Sequence, residues 1–105
     1  VKSFAQWGIP TAESILMVRQ VAPEVVVIAS GGIRTGIDAA KAIALGADAI
    51  ALAAPFLKAA TVSAEAVIEV AKGIVEELRT AMFCIGATKL AQLKGTNLLE
   101  RIRKI

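Results

Sequence analysis

The hydrophobic and polar positions of this chain follow a helix–strand–helix–strand–helix order. Trp7-Gly8-Ile9-Pro10 closes an opening loop over 1–10, because the residue before proline is pushed away from the helical region. Ile15, Leu16, Val18, Val21 and Ala22 then recur at helical spacing, with Thr11 as the expected cap and Glu13 in the first turn. Pro23 ends that helix. The run 25–29 is apolar without alternation, so it predicts a strand buried on both faces, as in a parallel sheet flanked by helices. A helix is expected over 36–45, started by the pair Thr35 and Asp38 and stopped by Gly46.

The pattern then repeats. Residues 49–53 predict a second parallel strand, broken by Pro55, with a short helix over 56–60. Ser63 caps a long helix running to about 85, along which Val67, Ile68, Ala71, Ile74, Val75, Leu78 and Met82 share a face. Gly86 ends it, and a short helix over 88–93 precedes Gly95. In the tail 97–105, Leu98, Leu99 and Ile102 lie on one side and predict a last turn or two of helix docked on a neighbour. Strand–helix–strand–helix with a leading helix is the expected order of an α/β fold, a βαβα unit whose parallel crossover is right-handed.

Two junctions carry the candidate chemistry. In the first, the strand enters Ser30-Gly31-Gly32-Ile33-Arg34 and a helix follows at once. Bare backbone N–H groups at a helix start, together with the helix dipole, favour an anion. Glycine lets the backbone approach a ligand and take positive φ. Arg34 sits where a cation is mildly unfavourable unless an anion is present. The second junction, Ala53-Ala54 before Pro55, again keeps amides accessible behind small side chains. Two neighbouring strands ending this way read as a phosphate clamp, which in a (β/α)8 barrel lies after strands 7 and 8. A tight turn that binds nothing, or plain helix–sheet packing at Ala53 and Ala54, is the alternative. Neither G-x-G-x-x-G nor G-x-x-x-x-G-K-[ST] occurs.

Composition narrows the classes. The 105 residues suffice for one small domain but fall short of the roughly 250 of a whole barrel. The expectation is therefore a C-terminal barrel piece spanning 1–105, and a first residue Val1 rather than Met fits that. Hydrophobic residues make up 56%, much of it alanine, and no uninterrupted apolar run predicts a membrane span or a signal peptide. One cysteine, Cys84, rules out an internal disulfide and fits a cytoplasmic location; inert packing is its expected role. There is no histidine, which excludes Ser–His and Cys–His catalysis and leaves no self-contained metal site expected. The net charge of +3 owes much to Lys94, Arg101, Arg103 and Lys104, which read as a solvated face lacking the aromatics of a nucleic-acid site. Trp7 lines a pocket or packs on the barrel side. Ser30 touches a ligand or its own loop. Lys41 and Lys58 are expected in solvent, with Lys58 close enough to the second loop to approach a phosphate.

Three stretches carry a family likeness: Trp7 to Ala12, Ile28 through Leu45-Gly46-Ala47-Asp48-Ala49, and Ala53-Ala54-Pro55-Phe56-Leu57. With Glu77-Leu78-Arg79-Thr80-Ala81-Met82-Phe83-Cys84-Ile85-Gly86-Ala87, they resemble the C-terminal third of type 2 isopentenyl-diphosphate isomerases. FMN-dependent 2-hydroxy acid oxidases and glutamate synthases have similar loops. They commonly carry Asp where this chain has Ser30, and the oxidases tend to carry Gly-Arg where it has Ala53-Ala54.

The resemblance implies an FMN enzyme that also uses Mg2+ and NAD(P)H and interconverts isopentenyl and dimethylallyl diphosphate by proton transfer. Two barrel strands leave open edges and exposed apolar faces, so the chain by itself is expected to form homo-oligomers or to aggregate. Carried over, Gly32, Ile33 and Arg34 match the first FMN-phosphate loop, Gly31 adjoins it, and Ala53 and Ala54 match the second. The family's Mg2+-binding glutamate, its substrate-site histidine and asparagine and its Arg-Lys pair match no position here. No catalytic or metal-binding residue is therefore expected in this chain, and alone it is expected to be inactive. An oxidase or dehydrogenase of hydroxy acids, or a self-associating piece without activity, is the rival reading.

Overall fold

The computed structural model describes residues 6–96. The elements follow in the order α1 (Thr11–Val21), β1 (Ile28–Ala29), α2 (Gly36–Ala44), β2 (Ala49–Ile50), α3 (Ala54–Ala60), α4 (Ala64–Cys84) and α5 (Leu90–Leu93). The two strands are parallel, with Ile28 opposite Ala49 and Ala29 opposite Ile50. A parallel pair needs a crossover, and α2 supplies it. The Ala51 N–H donates to the Ala29 carbonyl at 2.8 Å and the Asp48 N–H to the Val27 carbonyl at 2.8 Å, extending the pairing at both ends. The result is a small, mostly helical α/β unit. The tail 97–105 and residues 1–5, with the expectations placed on them, lie outside the described residues.

The strands are shorter than the apolar runs suggest, and they are buried on one face only. Val27 and Ala29 are buried, whereas Val26 is 77% and Ile28 63% exposed. Alternate residues point to opposite faces of a strand. One face meets α1 and α2; among the described residues nothing covers the other. Expected two-face burial is therefore replaced by an open apolar face.

The core has two parts. Ile15 of α1, Val27 and Ala29 of the first strand run, Ile33, Ala42 of α2 and Ala47 form one cluster, joined by Leu45, Ile50 and Leu52. Ala40, Ile43 and Ala44 of α2 meet Leu93 of α5 in the other, against Leu78, Ala81 and Met82 of α4. Helix α2 thus has one apolar side toward the sheet and another toward α4. Its alanines allow this close approach in both directions. The Gly95 N–H donates to the Ala44 carbonyl at 3.0 Å, which closes α5 onto the end of α2.

Local signals place most helix ends. The Ser63 hydroxyl accepts the Ala66 N–H at 3.0 Å and starts α4. Along α4, Val67, Ala71, Ile74, Leu78 and Met82 are half-buried, but Ile68 and Val75 are exposed, so the packed stripe is narrower than the apolar one. Pro55 lies in the first turn of α3, which begins at Ala54 rather than at 56, because proline suits a helix start as well as it breaks a strand. Helix α5 begins at Leu90 rather than at 88, since the Gln92 side-chain oxygen accepts the Thr88 N–H at 2.6 Å. Cys84 is exposed, so it does not pack as expected, and Trp7 is exposed as well.

A charged staple holds the lower end of the strands. Arg19 reaches from α1 to donate to the carbonyls of Gly46 (2.9 Å from Nε, 2.6 Å from Nη2), Pro23 (2.8 Å) and Val25 (2.8 Å), and to the Asp48 carboxylate (2.8 Å). Asp48 also accepts the Val27 N–H at 2.9 Å and an ion pair from Lys94. The Lys94 ammonium first, then the Val27 N–H and the Arg19 guanidinium, hold the Asp48 carboxyl well below the usual carboxylate range. These partners stand 21, 29 and 46 residues away in sequence, so no local pattern announces them.

Candidate functional site

Both strands run in the same direction, so the segments that leave them emerge side by side. One is Ser30-Gly31-Gly32-Ile33-Arg34-Thr35; the other leads through Leu52 to Ala53 and the start of α3. The expected pairing of the two small-residue junctions therefore follows from sheet register.

Each residue of the first loop has a distinct setting. Gly31 has φ +101° and Gly32 φ +72°, a region that side-chain-bearing residues rarely adopt. A Cβ on Gly31 would meet the Thr11 hydroxyl at 3.0 Å, whereas one on Gly32 would meet nothing within 4 Å. Gly31 is thus closed against α1, and Gly32 faces open space. Ile33 is 7% exposed, its side chain sunk in the first core cluster. Only the backbone of Ile33 is left to face a ligand. Arg34 is exposed, and among the described residues its guanidinium has no ion pair.

The helix that follows is firmly started. The Thr35 hydroxyl accepts the Asp38 N–H at 3.1 Å. The Asp38 carboxylate accepts the Arg34 N–H at 3.2 Å. The expected Thr-x-x-Asp pair is present in altered form, with the carboxylate reaching one residue further back than a capping box does. This removes the Arg34 N–H from the donors offered to a ligand. The N–H groups of Gly31, Gly32 and Ile33 meet no acceptor among the described residues.

Ala53 and Ala54 are exposed. Ala53 is the N-cap of α3 and offers no side-chain cap, which leaves the first-turn amides without an internal partner. Lys58 lies exposed in the last turn of α3. Ser30 is exposed too, and its carbonyl lies 3.4 Å from the Thr11 hydroxyl.

Thr11 itself departs from expectation. Pro10 occupies the N-cap of α1, with no side-chain cap bond, and Thr11 is the first helical residue. Its hydroxyl donates instead to the Gly31 carbonyl at 2.8 Å. A groove of about 380 Å³ runs between α1 and the first strand, from Ile9 and Val18 to Ser30, and Thr11 forms part of its wall. Among the described residues no group of three or more His, Cys, Asp or Glu side chains is placed to hold a metal ion. No helix there is long and apolar enough to cross a membrane.

Known proteins bear on the same stretch. The chain is 49% identical over 97% of its length to an isopentenyl-diphosphate delta-isomerase of a Nostoc species, of which it covers 29%. It is 50% identical over 94% of its length to the protein of that name from Stutzerimonas stutzeri, again covering 29%. Against the Mycobacterium marinum protein of that name the identity is 56% over 86% of the chain, covering 26%. The chain thus spans under a third of the length of these relatives. Residues 8–100 match the family described as FMN-dependent dehydrogenase, and by that match the chain belongs to the FMN-dependent dehydrogenase family.

Proposed function

We propose that this chain is the flavin-phosphate-binding part of an isopentenyl-diphosphate delta-isomerase, contributing the last two βα units of an FMN-binding (β/α)8 barrel. One observation carries the reading: two adjacent parallel strands deliver a positive-φ glycine pair and an uncapped small-residue helix start to the same end of the sheet. Strand loops joined by the start of a short extra helix form the recurrent phosphate site of (β/α)8 barrels, which supports this reading.

The residues suit a phosphate dianion. Donors come from the backbone N–H groups of Gly31, Gly32 and Ile33 and from the first-turn amides beside Ala53 and Ala54. The exposed Arg34 guanidinium adds charge-assisted hydrogen bonds. The open space over Gly32 admits the ligand oxygens. Fixing the phosphate fixes the rest of the flavin, so the protein's contribution here is placement. When bound and reduced, FMN supplies the acid/base chemistry that moves a proton between carbons of isopentenyl diphosphate. Reduction by NAD(P)H, Mg2+ for the diphosphate, oligomeric assembly and a cytoplasmic location belong to the same reading of the intact protein. The groups for metal and substrate are assigned to segments outside this chain, which alone is inactive.

The experiment is a paired titration of the intact protein with FMN and with riboflavin, followed by flavin fluorescence. The phosphate is what distinguishes the two. Binding of FMN at least about tenfold tighter than riboflavin, lost in Gly32→Asp, is the expected result. Equal affinity for the two flavins would refute the clamp.

A further inference from the structure

We infer that Thr11 is a positioning residue that holds the glycine loop in its ligand-ready form. The two halves of that loop are secured differently. The second half is anchored through Ile33 in the core, the Thr35 cap and Gly36 at the start of α2. The first half, Ser30-Gly31-Gly32, contains two glycines at positive φ, the residue type with the most backbone freedom to lose on ordering. Its N–H groups have no acceptors among the described residues.

Thr11 reaches this half from the first turn of α1. Its hydroxyl donates to the Gly31 carbonyl at 2.8 Å and lies 3.4 Å from the Ser30 carbonyl. Both acceptors are carbonyls, so the bond turns the oxygens toward α1. That leaves the amides on the loop free for an anion. A Cβ at Gly31 would stand 3.0 Å from that hydroxyl, a close approach added to the positive φ that already favours glycine there. Gly31 thus faces the latch, and Gly32 faces open space. The functional consequence rests on the phosphate reading above, because a loop held before binding loses less entropy when the anion arrives.

The test compares Thr11→Val with Thr11→Ser in the intact protein. Thr11→Val keeps the shape and removes the donor; Thr11→Ser restores it. The first readout is the backbone 15N order parameters of Gly31 and Gly32. They should fall from about 0.85 to below about 0.6 in Thr11→Val and recover in Thr11→Ser. The second is the ratio of FMN to riboflavin affinity, which should fall by about tenfold in Thr11→Val, the worth of one hydrogen bond, and recover in Thr11→Ser. Unchanged order parameters, or a fall shared equally by α2 and α4, overturn the latch. A loosened loop with an unchanged affinity ratio overturns its role in ligand placement. If the unmodified protein binds both flavins equally, the phosphate reading fails, while the order parameters still decide whether Thr11 holds the loop.

Discussion

Gly36 and Ile74 touch backbone to backbone. A Cβ on Gly36 would overlap the Ile74 carbonyl oxygen and come within 2.5 Å of the Leu78 nitrogen. The start of α2, and with it the loop that precedes it, is therefore seated directly on the middle of α4. Neither obstacle is the movable end of a side chain, so the helices themselves must part to admit a methyl group. Gly36→Ala should destabilise the protein by about 1–3 kcal/mol, the usual cost of overpacking, even though alanine is the better helix former. Urea unfolding checks this. A midpoint equal to or above that of the unmodified protein contradicts the contact.

The staple at the other end of the strands predicts an acid-sensitive fold. Asp48 has its pKa lowered by Lys94, Val27 and Arg19. Its ordinary value is about 3.9, and the unfolded chain therefore binds the proton first as pH falls. The stability conferred by Asp48 is fully present above pH ~4 and is lost as pH drops from there toward the lowered folded-state value. Thermal melts between pH ~5 and ~2 should show this loss. In Asp48→Asn the melting temperature should be lower near neutrality, and its decline across that acid range shallower. Parallel curves for the two proteins would exclude Asp48 as the source.

On the proposed phosphate clamp, Arg34 acts in binding rather than in folding. Its guanidinium is exposed and makes no ion pair among the described residues, so Arg34→Gln should leave the melting temperature nearly unchanged. It should weaken FMN by about 1.5–3 kcal/mol, the range for a hydrogen bond to a charged group, and leave riboflavin unaffected. Isothermal titration at two salt concentrations checks both parts. Equal losses for the two flavins would place Arg34 at the ring instead of the phosphate.

The open face of the sheet predicts association. Val26 and Ile28 are both strongly exposed beside a strand whose outer edge is unpaired among the described residues. Exposed apolar strands recruit further chains. These 105 residues produced by themselves should run as oligomers or aggregates in size-exclusion chromatography with light scattering. Val26→Lys with Ile28→Lys should shift them toward monomer. A monodisperse monomer without those substitutions would show that the face is tolerated in water.

The residue order by itself determined the element sequence, the parallel crossover and the two loops that carry the candidate site. These depend on local chemistry: apolar runs too short for helices, Ser63 and Thr35 as caps, glycines at turns that need positive φ, and proline at a helix start. The likeness to isopentenyl-diphosphate isomerases was legible for the same reason, since its signature stretches are contiguous in the chain.

Tertiary structure alone decided the rest. Thr11 is a good cap by type, yet its hydroxyl crosses to Gly31, because the approach of α1 to the loop offers a carbonyl there. Asp48 carries no signal in its neighbours, and its partners Arg19 and Lys94 come from other elements. The 25–29 run was apolar throughout, but burial reached only Val27 and Ala29. Sequence records which residues are able to pack or bond. Only the arrangement of distant segments determines which of them find a partner, because those contacts depend on three-dimensional proximity that spacing along the chain does not encode.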